Sequence, residues 1–117
     1  LALFRAKFCE SVSKVVPGAY IHRKEMYLMG LMSIVAGTTD EKSINSVMKE
    51  LPVTDEIKNG LIGADGLYGD VFRLVVDYDH ADWNKVEEFV KKYDVDAQQL
   101  ANEYVKCIRF MQQFYIK

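Results

Sequence analysis

Met26-Tyr27-Leu28-Met29-Gly30-Leu31-Met32-Ser33-Ile34-Val35-Ala36 is the stretch whose reading decides the fold. Wound at 3.6 residues per turn, it puts apolar side chains on every side and leaves no polar face. A helix of that kind is surrounded by other elements. At about half of the roughly 20 residues a bilayer span needs, it reads as a buried helix and not a membrane anchor. The spacing therefore predicts a central helix from about Arg23 to Thr38. Gly30 and Ser33 would let a neighbouring backbone come close, and the methionine row is read first as core filling, because Met adapts to irregular gaps.

Helical periodicity continues on both sides. Leu1, Phe4, Phe8, Val12 and Val15 recur at three- and four-residue steps until Pro17-Gly18 breaks the pattern. Downstream, Asp40 can cap a short helix carrying Ile44, Val47, Met48 and Leu51, which Pro52 stops. Thr54 or Asp55 can cap another, with Ile57, Leu61 and Ile62. Val71, Leu74, Val75 and Tyr78 keep helical spacing, although β-branching alone would allow Phe72 to Val76 as a strand. Trp83, Val86, Phe89, Val90 and Tyr93 mark the next helix. Asp96-Ala97-Gln98-Gln99 has the capping-box pattern, with Val95 and Leu100 as a hydrophobic staple, and opens a last helix from Ala97 to about Tyr115. The expectation is an all-α, compact domain of about seven helical segments.

Composition agrees. The chain has 117 residues, 50% hydrophobic, with a net charge of −2, which suits one folded domain and excludes disorder. Fifteen basic against 17 acidic residues give no electrostatic footprint for nucleic acid. Arg5, Lys7, Glu10 and Lys14 interrupt the first apolar segment, so it is not a signal peptide. Beginning inside a helical pattern, residues 1–117 read as a single domain cut from a longer protein, with a neighbour upstream. Cys9 and Cys107 are expected to be reduced and buried in a cytoplasmic protein.

Few residues offer chemistry. Gly63, Gly66 and Gly69 are spaced G-x-x-G-x-x-G, with no following Gly-Lys-Ser/Thr and no convincing preceding strand, so a turn with close packing is favoured over a phosphate cradle. Asp77, Asp79 and Asp82 lack the Gly and distal Glu of a calcium loop. Of the two histidines, His22 adjoins Arg23 and Lys24, and His80-Ala81-Asp82 misses the adjacent His-Asp pair of HD-type metal phosphohydrolases. No nucleophile elbow is present. The expectation is no catalytic residue, no metal ligand and no cofactor site. On the last helix, Leu100, Ala101, Tyr104, Ile108, Met111 and Tyr115 form one stripe, and Cys107, Phe110 and Phe114 a second. The second makes Arg109, Phe110, Gln113 and Phe114 a candidate interaction surface.

Several segments resemble a known family. Arg5-Ala6-Lys7-Phe8-Cys9-Glu10, Met29-Gly30-Leu31-Met32-Ser33, Leu51-Pro52-Val53 with Ile57-Lys58 and Leu61, and Gly66 to Gly69 with Leu74, Tyr78 and Asp82-Trp83 occur in the order of the HDOD domain of bacterial EAL–HDOD signalling proteins of the YuxH type. They cover most of Leu1 to about Tyr93, the later part of such a domain. Gly60 stands where the family usually has Ala, and Asp79 where it usually has Glu. The resemblance implies an HD-related helical fold without the metal-binding His-Asp signature. It also implies a regulatory or output role, linked to cyclic di-GMP through an upstream EAL-like module or another signalling protein as partner. Two alternatives follow from the residues. One is a residual metal-dependent phosphohydrolase using His80 and the nearby aspartates. The other is a small-ligand pocket among Met26, Met29, Met32 and Trp83.

Overall fold

A computed structural model describes residues 2–37 and 53–115. Among them are six α-helices and no strand: α1 (Ala2–Val15), α2 (Arg23–Gly37), α3 (Asp55–Leu61), α4 (Leu67–Asp79), α5 (Trp83–Tyr93) and α6 (Ala97–Tyr115), with a 3₁₀ turn at Tyr20–His22. The described residues are all-α, as their periodicity predicts. The short helix expected between Asp40 and Leu51 lies outside the described residues.

Local chemistry sets the helix starts. Thr54 Oγ1 accepts the Ile57 N–H at 3.4 Å, and Asp82 Oδ1 accepts the Lys85 N–H at 3.4 Å. Asp96 Oδ1 accepts from Gln98 N–H at 2.8 Å and Gln99 N–H at 3.2 Å, while Val95 and Leu100 are both buried. Asp96 is thus the side-chain cap the sequence placed at the start of α6, with Val95 and Leu100 on either side of it both in the core. The Phe72–Val76 stretch is helix, because Val71, Leu74 and Val75 are buried together at helical spacing.

The core gathers Phe8, Cys9 and Val12 of α1, Met26 and Met29 of α2, Ile57 of α3, Leu74 and Val75 of α4, Phe89 of α5 and Leu100 and Cys107 of α6. Helix α2 touches α1, α3 and α4. It is not enclosed all round: Met26, Met29, Gly30 and Ser33 are buried, while Tyr27, Leu28, Leu31 and Met32 are half-buried. Gly30 is the close crossing point with α1. A Cβ there would lie 2.5 Å from both Cα and N of Ala6. Ser33, one turn on, donates to the Gly30 carbonyl at 2.7 Å and accepts from the Arg5 guanidinium at 3.3 Å.

Candidate interaction surface

The clearest side-chain constellation is aromatic, built where α1, α4 and α6 meet. Phe8 is fully buried, and Tyr78 and Tyr104 cover it edge-on with ring centroids at 5.3 and 5.2 Å. Phe4 meets Tyr104 at 5.6 Å, and the two tyrosine rings lie 4.6 Å apart. Trp83, first residue of α5, sets its ring at 89° to Tyr78 at 5.1 Å. It is 56% exposed, so the cluster runs from core to surface. Burial raises the phenol pKa of both Tyr78 and Tyr104.

Beside this cluster, α6 shows Val105 (44% exposed) and Ile108 (37%) to solvent. The two stripes read from the sequence are partly exchanged here. Cys107 is buried at 2% against α1, its Sγ 3.4 Å from Ser11 Oγ, whereas Ile108 is outside. Helix α1 approaches α6 from the Cys107 side, a fact of tertiary packing that helical spacing does not carry. Of the residues anticipated as a contact surface, Arg109 and Gln113 are exposed. Phe110 is half-buried, with Lys7 Nζ 4.7 Å from its ring centroid. The Phe114 side chain lies outside the described residues. Val105 was in neither stripe, and an apolar residue off both stripes was the available signal.

A second polar centre lies between α4 and α5. Asp70 accepts from Arg73, from Lys92 Nζ at 2.7 Å and from Tyr93 Oη at 2.5 Å. Burial pushes its carboxyl upward, but these three donors outweigh that and hold it below the usual carboxylate range. The Tyr93 phenol is raised, by burial and by Asp70. Arg73 also donates to the Gly63 carbonyl at 2.6 Å, which ties down the glycine-rich turn. In the first turn of α4, a Cβ on Gly69 would sit 1.9 Å from the Ala64 carbonyl oxygen, so the turn before the helix packs closely against its start. The adjoining cleft of about 360 Å³ is lined by three cations (Arg73, Lys85, Lys92) and three carboxylates (Asp70, Asp77, Glu88) over Leu74 and Phe89.

The remaining candidates are dispersed. His22 Nδ1 shares a hydrogen bond of 3.0 Å with Tyr68 Oη, and burial lifts the Tyr68 phenol to about 12. Burial also raises the carboxyls of Asp77 and Asp79, and Asp82 caps α5. Among the described residues no three His, Cys, Asp or Glu side chains are grouped to hold a metal ion. The methionines of α2 fill the core, as first read, and the alternative of a pocket shared by Met26, Met29, Met32 and Trp83 is not formed. Met26 and Met29 are sealed in the core at 0% exposure, whereas Trp83 stands at the surface. Both cysteines are free and buried, and burial pushes the Cys9 thiol up to about 12. No helix among the described residues is long and apolar enough to cross a membrane.

Comparison with known proteins adds what geometry alone does not. The chain is similar to a cyclic di-GMP phosphodiesterase. That relative, "Cyclic di-GMP phosphodiesterase CdgJ" of Vibrio cholerae, is 28% identical over 112 residues, which are 96% of this chain and 26% of the relative. "Uncharacterized protein YuxH" of Bacillus subtilis is 28% identical over 98 residues, 80% of this chain and 22% of its own length. The chain thus spans about a quarter of the length of these curated relatives. No protein-family model and no solved structure matches it.

Proposed function

We propose that residues 1–117 are a non-catalytic regulatory module of the HDOD kind within a longer bacterial signalling protein that handles cyclic di-GMP. The module acts by contact with an EAL-like catalytic domain of the same protein. The observation that carries this reading is the similarity over 96% of the chain to a protein named as a cyclic di-GMP phosphodiesterase. The resemblance of its ordered segments to HDOD domains supports it. So does the use of its polar groups in structure: His22 on Tyr68, Asp70 on three donors, Asp82 and Asp96 as helix caps. These side chains position helices and leave hydrolysis to another part of the protein, in the cytoplasm where cyclic di-GMP is made and degraded.

The test is binding and hydrolysis of cyclic di-GMP by the full-length protein with and without residues 1–117. A changed rate or affinity, with the remainder still folded, is expected. An unchanged rate and affinity would sink the regulatory role.

A further inference from the structure

Arg5 is underpaired at a junction of helices. Its backbone is pressed against α2, where a Cβ added to Gly30 would lie 2.6 Å from the Arg5 carbonyl carbon, so the base of the side chain is fixed. Its Nη1 donates to Ser33 Oγ of α2 at 3.3 Å, longer than the usual N–H···O bond of about 2.9–3.0 Å. Its Nε is shut off from solvent and has no hydrogen-bond partner among the described residues. A buried N–H left without an acceptor is costly and calls for an explanation. An acceptor stands on another side, at the end of α4. Phe8, one turn after Arg5, and Tyr78, the residue before Asp79, meet edge-on with centroids 5.3 Å apart. Asp79 is half-buried; burial raises its carboxyl, and of the charges around it Arg5 does most to offset this. Cys9, one turn on from Arg5 along the same side of α1, is fully buried and feels both charges: burial raises its thiol most, Arg5 lowers it and Asp79 raises it. The groups that face Asp79 are thus Arg5 and Cys9 of α1, His80 beyond the end of α4, and Tyr104 of α6. Among the described residues Arg5 and Asp79 form no direct ion pair.

We propose that Arg5 is a two-position latch between helices. In the arrangement described here Ser33 of α2 holds it. In a second arrangement the end of α4 closes on α1, and the Asp79 carboxylate accepts from Nε. A long side chain on a fixed backbone, with acceptors on two different helices, gives two discrete states and not a continuous drift. The charged acceptor makes the stronger bond, whereas the neutral one avoids burying the carboxylate further, so each state has its own advantage. Trp83 lies at 5.1 Å from Tyr78, so closing at Asp79 moves the surroundings of this exposed ring. The latch needs no part of the regulatory reading above. Under that reading it is the moving part that a neighbouring domain biases.

The experiment is nitrogen NMR relaxation dispersion on the protein, read at the Arg5 Nε–H and at the indole N–H of Trp83, the single tryptophan. Arg5→Lys, which lacks Nε, identifies the first signal. Exchange on the μs–ms scale of helix shifts is expected at both N–H groups. Asp79→Asn keeps the shape and removes the charge, and should abolish the exchange with Arg5 left on Ser33. Asp79→Glu reaches one methylene further and should abolish it too, with the Arg5 Nε–H exchanging with water several-fold more slowly than in Asp79→Asn. Should Asp79→Asn lose helicity by circular dichroism, Ser33→Ala takes its place and should shift the populations toward the slowly exchanging position. A flat profile at either N–H in the wild type overturns the proposal, since an arginine with a purely structural role gives none. Exchange that persists unchanged in both Asp79 variants overturns it as well. None of these signals depends on hydrolysis, so the latch and the regulatory reading fail separately.

Discussion

Replacing Gly30 by Ala sets two effects of opposite sign against each other. In a helix interior, Ala is favoured over Gly by about 1 kcal/mol, so propensity predicts stabilisation. Packing predicts the reverse. The new Cβ would meet Ala6 Cα and N at 2.5 Å and the Arg5 carbonyl carbon at 2.6 Å. Carbon atoms pack at about 3.5–4.0 Å, so α1 and α2 must part by about 1 Å. All three atoms are backbone, so no side-chain rotation relieves the clash. Overpacking of this kind costs typically about 1–3 kcal/mol. The separation also stretches the Arg5–Ser33 hydrogen bond, now 3.3 Å, and with it the seat of α1 against α6. With the propensity gain of about 1 kcal/mol subtracted, Gly30→Ala is expected to be destabilised by up to about 2 kcal/mol, a fall in Tm of up to roughly 8 °C for a domain of this size. Urea and thermal unfolding followed by far-UV circular dichroism read the change. A raised midpoint, the result expected from helix propensity with no clash, would refute the α1–α2 crossing at this residue.

Asp70→Asn, which removes the carboxylate under Arg73, Lys92 and Tyr93, should cost about 1–2 kcal/mol by urea denaturation, since the cationic partners are largely solvated. Because the folded carboxyl is held below its unfolded value, its contribution is present above pH of about 4 and is lost as pH falls through the lowered folded value. The difference between wild type and Asp70→Asn should therefore shrink toward zero in strong acid, and a constant difference would contradict the pairing. Native protein at neutral pH should show almost no reaction of Cys9 or Cys107 with a thiol reagent, and full reaction in denaturant, because both are buried and raised. Fast labelling of Cys9 would contradict its burial. Acrylamide should quench the single tryptophan efficiently, since Trp83 is 56% exposed. Weak quenching would revive an enclosed site around it.

Much of the fold was legible because its signals are local. Asp96 accepting two first-turn N–H groups, Asp82 and Thr54 as caps, and the helical spacing of Val71, Leu74 and Val75 each act within a few residues. Gly30 was legible as a site of close approach, though its partner Ala6 was not, since that contact joins residues 24 apart in sequence. What stayed hidden depends on which side a neighbour arrives. Cys107 and Ile108 are adjacent and both apolar, yet α1 seals one and leaves the other in water. The Asp70 hub was hidden for the same reason, because Lys92 and Tyr93 reach it from another helix. The loss of the imagined methionine–tryptophan pocket follows from placement too, with Met26 and Met29 inside and Trp83 outside.

In the proposed function, this region works by contact and does no chemistry of its own. Its most direct measurement is cyclic di-GMP hydrolysis by the longer protein lacking residues 1–117, titrated with the separate 117-residue chain, alongside the chain alone. A saturable change of rate toward that of the intact protein is expected, with no hydrolysis by the chain alone. Hydrolysis by the chain alone, or a rate that stays flat through the titration, would contradict it.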